Sequence, residues 1–477
     1  MPPRELAARW VVQGELKLET ATHLGGEETG RMEMAVLRDP VSGAPLLPGT
    51  TLAGALRNLL ADRLAGYRTK EPREVSHLFG DARDRDEEGE QSPLMVFDSL
   101  GRLPREGSVE IRDGVAIDPA WGTAEPHKKF AFEVLPPGTR FPFRLELVIT
   151  ERQGNKEKEL LRLLATLLDH LDREGFSLGK RRSRGLGRLE AVAAWRARRF
   201  ALDSAAGWRA WLATDHEDPL ASTQAAYPKA LDALRAALPD RARDWDLSPL
   251  PDERQRLVLE LELEVVGELL VRSPAADHTL PEVVHLRSGE EPVLPGTGVA
   301  GVLRAHALRI ARLIRGKEAG GKMVEELFGR APRQEDQSQN QSRGPTASRL
   351  WVGEATIQKG LPRYQARIAI DRFTGGVVDG ALFEEQPWRG GRLRLRLELR
   401  EPRPGERGLL LLVVRDLLEG YLPVGGGSAV GRGLLQGRAR LHWQGRPLEL
   451  TPQVPPPPEV EEWIQEFVRL KERETEA

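Results

Sequence analysis

The 477-residue chain contains no cysteine. Disulfides and thiolate-ligated zinc or iron–sulfur centres are therefore excluded, and nothing argues for an oxidising compartment. Long apolar runs are also missing. No stretch approaches the roughly 18 residues of a membrane span, and MPPRELAARW has no apolar signal-peptide core. No membrane partner is expected, and the cytoplasm is the expected compartment. No charge of one sign dominates: 70 basic and 72 acidic residues leave a net charge of −2. Composition alone names no partner, because the charges can still be segregated by surface. The nine histidines show no HExxH spacing, and no GxSxG is present, which leaves the common zinc-hydrolase and serine-hydrolase layouts without support. A hydrophobic content of 40 % with 30 % charged residues suits a globular chain, long enough for two or more cores.

What the sequence does have is itself, twice. PLLPGTTLAGALR from Pro45 and PVLPGTGVAGVLR from Pro292 share nine of thirteen positions, 247 residues apart. Further landmarks recur in the same order. HLFG ending at Gly80 answers ELFG ending at Gly329, 249 residues on. VAIDPAWGTA around Asp118 answers IAIDRFTGGV around Asp371, and KRRSRGLGRL around Gly185 answers GSAVGRGLLQ around Gly433. Offsets that drift by a few residues mean one ancestral unit, duplicated, with loop insertions.

Each unit opens on period-two alternation, GELKLET (14–20) and LVLELELEV (257–265), which predicts strands with one buried face. FPFRLELVI (from Phe141) and RLRLRLELR (from Arg392) alternate again late in each unit. Helical stretches lie between, beginning near Thr50, Glu157, Val299 and Leu409. The order predicts an α+β sandwich in which helices cover one face of an antiparallel sheet, and the simplest such fold is ferredoxin-like. The expected domains are 1–195, a helical linker 196–255, 256–450, and a Pro-rich segment with a helix at 451–477. Trp195, Trp208, Trp211 and Trp245 are expected to pin the linker. Trp463, Phe467 and Leu470 share one face of the last helix, which should dock on its own body or on a partner. Residues 330–349 are polar, low in complexity and expected to be a disordered insertion; the run 84–90 reads as a solvated acidic loop.

Pro48 ends an extended run and Gly49 permits a tight bend. Thr50 or Thr51 is expected to cap the helix, whose free amides would then suit a phosphate. Gly54 and Gly301, inside their helices, suggest close approach of another group to the backbone. The closing segment SLGKRRSRGLGRL adds Lys180, Arg181, Arg182 and Arg184 among glycines, which suits a phosphate chain. PVGGGSAVGRGLL (from Pro423) keeps Gly426 and Arg432 and little other charge, so the first half reads as the stronger anion binder. GKEAGGKM (316–323) approaches a phosphate-binding loop but places Met where a hydroxyl belongs, and it reads as a helix-ending turn.

A Gly-Gly loop after the first strand (Gly25, Gly26), LRDP followed by LPGTTLAGALR, an LFG, and a closing SRGLGRL together resemble the RAMP superfamily, the backbone subunits of type III CRISPR effector complexes. The resemblance spans nearly the whole chain as two tandem units, as in type III-D-like branches. It implies two ferredoxin-like (RRM-like) domains with β-hairpin thumbs that kink a guide RNA, here after Ile111 and after Ile368. Implied partners are guide RNA, target RNA and other effector subunits. Implied RNA-binding residues are His23, Gly25, Gly26, Thr50, Arg57, Lys180, Arg181, Arg182, Arg184, Arg304, Gly426 and Arg432.

Some members cut target RNA with one aspartate and a divalent metal. Its place is taken by Glu33 in the first half and falls near Glu282 in the second, with Asp277 close by. Mg²⁺ held by Asp277 or Glu33 is the implied cofactor if the chain cleaves; a glutamate's extra methylene displaces the carboxylate. Two alternatives share the superfamily: a two-unit end-capping subunit without catalysis, and a metal-independent guide-processing endoribonuclease using His or Tyr/Lys chemistry.

Overall fold

The computed structural model of the chain describes residues 5–25, 34–67, 70–81, 91–104, 109–117, 123–223, 225–275, 281–330 and 346–475. It is a mixed α+β protein that divides into two compact units. The first comprises residues 1–112, 131–182 and 187–254; the second comprises 113–130, 183–186 and 255–477. The expected insertion at 330–349 lies largely outside the described residues, as does the acidic run 84–90.

Along the first half of the chain the elements run β1 (Leu6–Leu18), α1 (Gly49–Ala65), α2 (Arg73–Phe79), β2 (Leu94–Val96), β3 (Glu110–Ile117), β4 (Ala124–Val134), β5 (Arg140–Thr150), α3 (Glu157–Arg173), β6 (Phe176–Ser177), β7 (Arg188–Ala201), α4 (Ala205–Leu212) and α5 (Ala230–Ala236); all but most of β3 and β4 belong to the first unit. The sheet order is β2-β5-β1-β7-β6, with β1 antiparallel to both neighbours. Period-two alternation puts Trp10, Val12, Leu16 and Leu18 on one face of β1, where they join Leu52, Leu56 and Leu60 of α1 and the leucines of α3 in one core. α3 is buried almost all round. Beyond the sheet, the linker packs on it: Arg162 Nε donates to the Ser248 carbonyl at 3.0 Å, and Leu250 N donates to Thr166 Oγ1 at 3.1 Å.

Of the four tryptophans expected to pin a linker, Trp195 lies on β7, and only Trp208 is exposed. Trp195 is fully buried and donates to Asp172 Oδ1 at 2.7 Å, while Ala230 N donates to Asp172 Oδ2 at 2.8 Å. Trp211 is buried and Trp245 packs against the main core, whereas Trp208 is exposed.

In the second unit the elements run β8 (Arg256–Val266), β9 (Arg272–Pro274), β10 (Val283–His285), β11 (Glu291–Leu294), α6 (Gly296–Arg315), α7 (Lys317–Phe328), β12 (Leu350–Val352), β13 (Ala355–Gln358), β14 (Gln365–Ile370), β15 (Val377–Gln386), β16 (Arg392–Arg400), α8 (Glu406–Leu418), β17 (Leu434–Trp443), β18 (Arg446–Leu450) and α9 (Pro458–Thr475). The main sheet runs β11-β13-β16-β8-β17-β18, with β12 also on β16. Leu257, Leu259, Leu261 and Leu263 of β8 face α6 and α8 in a second core. Trp463 and Phe467 of α9 are buried there too, so this helix docks on its own unit; the Leu470 side chain is outside the described residues. Gly316 (φ 86°) does form a helix-ending turn, but the residues after it open α7.

Two hairpins stand apart from the main sheets. β3 pairs β4, and β14 pairs β15 antiparallel. Ile111, Val115 and Ile117 on the first, and Ile368, Ile370, Val377, Leu382 and Phe383 on the second, are exposed.

Each unit buries an ion pair beneath its helices. In the first, Glu157 accepts from Trp10 Nε1 at 2.8 Å and from Arg199 Nε at 2.7 Å. In the second, both oxygens of Glu406 meet the Arg349 guanidinium, which also donates to the Glu401 carbonyl at 2.6 Å. Removing one member of such a pair strands the other charge. Arg349→Ala should therefore destabilise the second unit by about 3–5 kcal/mol, read as a lower urea midpoint, while Arg392→Ala on the exposed sheet face should leave the midpoint unchanged.

Candidate nucleic-acid interface

The sequence-distant motifs of each unit meet at one place. The closing Gly-rich segment lies against the loop that follows the first strand, and the same three backbone hydrogen bonds hold it in both units. Gly187 N donates to Ala21 O at 3.0 Å, Lys180 N to His23 O at 3.1 Å, and Leu178 N to Gly187 O at 2.9 Å. Their counterparts are Gly433 N to Glu268 O at 2.7 Å, Gly426 N to Leu270 O at 2.7 Å, and Val424 N to Gly433 O at 2.9 Å. Gly179 and Gly425, both at φ +81°, allow this approach: a Cβ there would sit 2.4 Å from the His23 carbonyl and 2.6 Å from the Leu270 carbonyl.

In the first unit this corner is basic. His23 is buried, with Nδ1 2.7 Å from the Glu133 carbonyl. Nδ1 therefore carries the proton, and the Nε2 lone pair is buried without a hydrogen-bond partner among the described residues. Burial, with Lys180 and Arg181 adding to it, lowers the His23 pKa, so the ring is neutral at pH 7. Lys180 is exposed beside Gly25. The Arg181 guanidinium lies 4.8 Å from the centre of the Phe132 ring, and Arg182 is exposed. Arg184, which belongs with the second unit, is engaged differently: it donates to the carbonyls of Phe328 (2.9 Å) and Leu350 (3.2 Å) and to Ser348 Oγ (3.2 Å). Burial, and secondarily the neighbouring Arg304, pushes its pKa down to about 10.

In the second unit the charge at this corner turns inward. Gly426 and Gly427 stand where Lys180 and Arg181 stand in the first. Arg432 is 3 % exposed and donates to Glu385 Oε2 at 2.7 Å, Gln365 Oε1 at 2.6 Å and Glu268 Oε2 at 3.3 Å. It ties the base of the β14–β15 hairpin to the loop after β8. Burial opposes ionisation of Glu385, yet Arg432 and Arg272 hold it below the usual carboxylate range.

The helix mouths are filled from within the chain. Neither Thr50 nor Thr51 caps α1; the N-cap is Pro48, and Gly49 N donates to Asp98 Oδ1 at 2.6 Å. The anion at this mouth is thus Asp98. At α6 a Cβ on Gly296 would lie 2.4–2.7 Å from the carbonyls of Val352, Arg184 and Gly353. Close backbone approach occurs at Gly49 and Gly296, whereas Gly54 and Gly301 have nothing within 4 Å. Thr50 is exposed in the first turn of α1. Arg57 forms a two-pronged pair with Glu71 at 2.8 and 2.6 Å, and Arg304 is half-buried on α6.

Of the carboxylates considered for cleavage, Glu282 is exposed just before β10, while Glu33 and Asp277 lie outside the described residues, as does Gly26. Among the described residues no group of three or more metal-ligating side chains is assembled. Sequence reasoning missed Glu133, Phe132, Asp98 and Glu385. Each acts through a partner tens of residues away, and only the repeated carboxylate at the base of both hairpins, Glu133 and Glu385, leaves any trace in the repeat.

His285 also lies beside this corner and is 3 % exposed. Val271 N donates to its Nδ1 at 3.2 Å, so Nε2 donates to the Val293 carbonyl at 3.1 Å. Burial pushes its pKa down to about 4. The unfolded chain therefore binds this proton more readily, and stability falls as the pH drops from about 6.5 towards 4. The expected loss is about 3 kcal/mol at most. Denaturant midpoints of the wild type should fall over this window, and those of His285→Gln should fall less.

The comparisons agree with this duplicated geometry. The RAMP superfamily profile matches residues 15–190 and again 262–436. The CRISPR system Cms endoribonuclease Csm3 of Streptococcus thermophilus is 28 % identical over 188 residues, covering 37 % of this chain and 83 % of that protein. A match of 188 residues is about the length of one half of the duplicated chain. The chain belongs to the RAMP superfamily, in two tandem copies.

Proposed function

We propose that the chain is a double backbone subunit of a type III CRISPR effector complex, holding guide RNA with each of its two units and contributing to target RNA recognition. The observation that carries this is the recurring set of three backbone hydrogen bonds, which builds the same loop corner twice and, in the first unit, surrounds it with Lys180, Arg181 and Arg182. Ammonium and guanidinium groups neutralise phosphates, and a loop rich in glycine lets a phosphate chain approach the backbone. The strand order β2-β5-β1-β7 supports the ferredoxin-like reading of the first unit. The exposed apolar side chains of the β3–β4 and β14–β15 hairpins suit the thumbs that such subunits insert between bases.

Replacing Lys180, Arg181 and Arg182 together by Ala should weaken guide RNA binding by about tenfold or more and flatten its salt dependence by roughly one unit of slope per lost phosphate contact. Filter binding at several salt concentrations reads both. Unchanged affinity and slope would remove the first-unit corner from the interface.

A second reading, Mg²⁺-dependent cleavage of the target, rests on the endoribonuclease named among the relatives. Glu282 would serve as an oxygen ligand together with Asp277, and Glu33 would serve in the first half. Guide-loaded complex should then cut a complementary RNA with Mg²⁺ and not with EDTA, and Asp277→Ala or Glu33→Ala should abolish the products. Intact RNA under both conditions leaves a scaffold.

A further inference from the structure

Both sheets turn a second, outer face away from their helices, and the same charged cluster recurs on each. In RLEL of β5, Glu146 is 1 % exposed, paired with Arg9 at 2.8 Å and with Arg144 at 2.8 Å. In RLEL of β16, Glu398 is buried and paired with Arg400 (2.8 Å), Arg396 (3.5 Å) and Arg256 (3.8 Å). The register is identical: Val11 faces Glu146 and Val258 faces Glu398, with Arg9 and Arg256 two residues before.

In the first unit this cluster holds down the segment that follows β7. The Arg9 guanidinium lies 4.3 Å from the Trp211 ring centre, and Arg144 donates to the His216 carbonyl at 2.6 Å. Arg196 donates to the Leu220 carbonyl at 3.1 Å and approaches Asp218 at 3.7 Å. Val11, Phe200, Trp211 and Leu220 form a small separate core beneath. The segment that covers the face, ATDHEDPL at 213–220, carries three carboxylates and no Lys or Arg.

In the second unit Val258 and Glu398 are buried beneath the arginines, but the face beside them is open: Arg440 and Arg396, the counterparts of Arg196 and Arg144, are 56 and 36 % exposed. After β17 the chain turns back as β18, and α9 packs against α8 on the helical side. Arg394, Arg392 and Arg438 are 87, 71 and 63 % exposed on the outer face. They help line a groove of about 760 Å³ in which Arg392, Arg394, Arg438 and Lys359 outnumber Glu262 and Glu264.

We propose that this outer face of the second sheet is a docking surface for an acidic polypeptide segment of another protein subunit, seated as residues 205–220 are seated in the first unit. The occupant follows from complementarity: a face of the same construction, with the same arginine–glutamate cluster, is covered in the first unit by an acidic segment bearing an indole ring. The inference goes beyond RNA binding and does not depend on it.

A fluorescein-labelled peptide with the sequence of residues 205–220, titrated against the intact chain without RNA, tests it by anisotropy. Saturable binding that weakens with salt, falls by about tenfold in Arg394→Glu/Arg438→Glu, and is lost when Asp215, Glu217 and Asp218 become amides in the peptide supports the proposal. No saturable binding, or equal affinity in the charge-reversed chain, overturns it. A photo-crosslinker at position 394 in the assembled complex gives the second arm. Conjugates to an acidic stretch of a protein subunit support the proposal, and conjugates to RNA contradict it.

Discussion

One strand with two unlike faces organises each unit. On β8, leucines alternate with glutamates, so Leu257 to Leu263 must be covered while Glu260 to Glu264 stay wet. Burying a Leu side chain is worth about 1.5–3 kcal/mol, and a shift of one residue would exchange the faces. The helices go to the leucine side, and the register with β16 and β17 is fixed along nearly the full strand. β1 obeys the same constraint with Trp10, Val12 and Leu16 inward and Arg9, Gln13 and Glu15 outward.

That constraint places the loops. With the first strand held between the strands that flank it, the loop leaving its end and the turn entering the last strand lie side by side. Sequence separation of more than 150 residues between His23 and Lys180 is thereby irrelevant to their proximity. The duplicated backbone geometry has been kept while the side chains diverged. The first unit presents its cations outward, whereas Arg432 of the second is spent on internal carboxylates and fixes the base of the hairpin. A charge buried among paired carboxylates serves position more than recognition, since its donors are already committed.

The periodic elements were legible in the sequence because period and repeat are local properties. The alternation of 257–265, the helices near Thr50 and Glu157, the repeat landmarks and the docking of Trp463 and Phe467 all follow from residue spacing. Side-chain partners were not legible. Nothing local in LPGTT says that Asp98, rather than a threonine, meets the Gly49 amide, or that Arg184 ends among carbonyls. The chain's own backbone approaches Gly49 and Gly296 closely and leaves open space at Gly54 and Gly301; both kinds of glycine look alike in sequence and differ in what the fold brings near. The three carboxylates considered for chemistry divide unevenly: Glu282 is exposed before β10, and Glu33 and Asp277 are outside the described residues.

The most direct test of the central claim is a nuclease footprint of the guide RNA in the assembled complex. Two adjacent protected segments per chain, of equal length and each with a reactive nucleotide at the same relative position, are the predicted result. A single protected segment per chain would contradict a doubled RNA-holding unit and leave the second copy with another role.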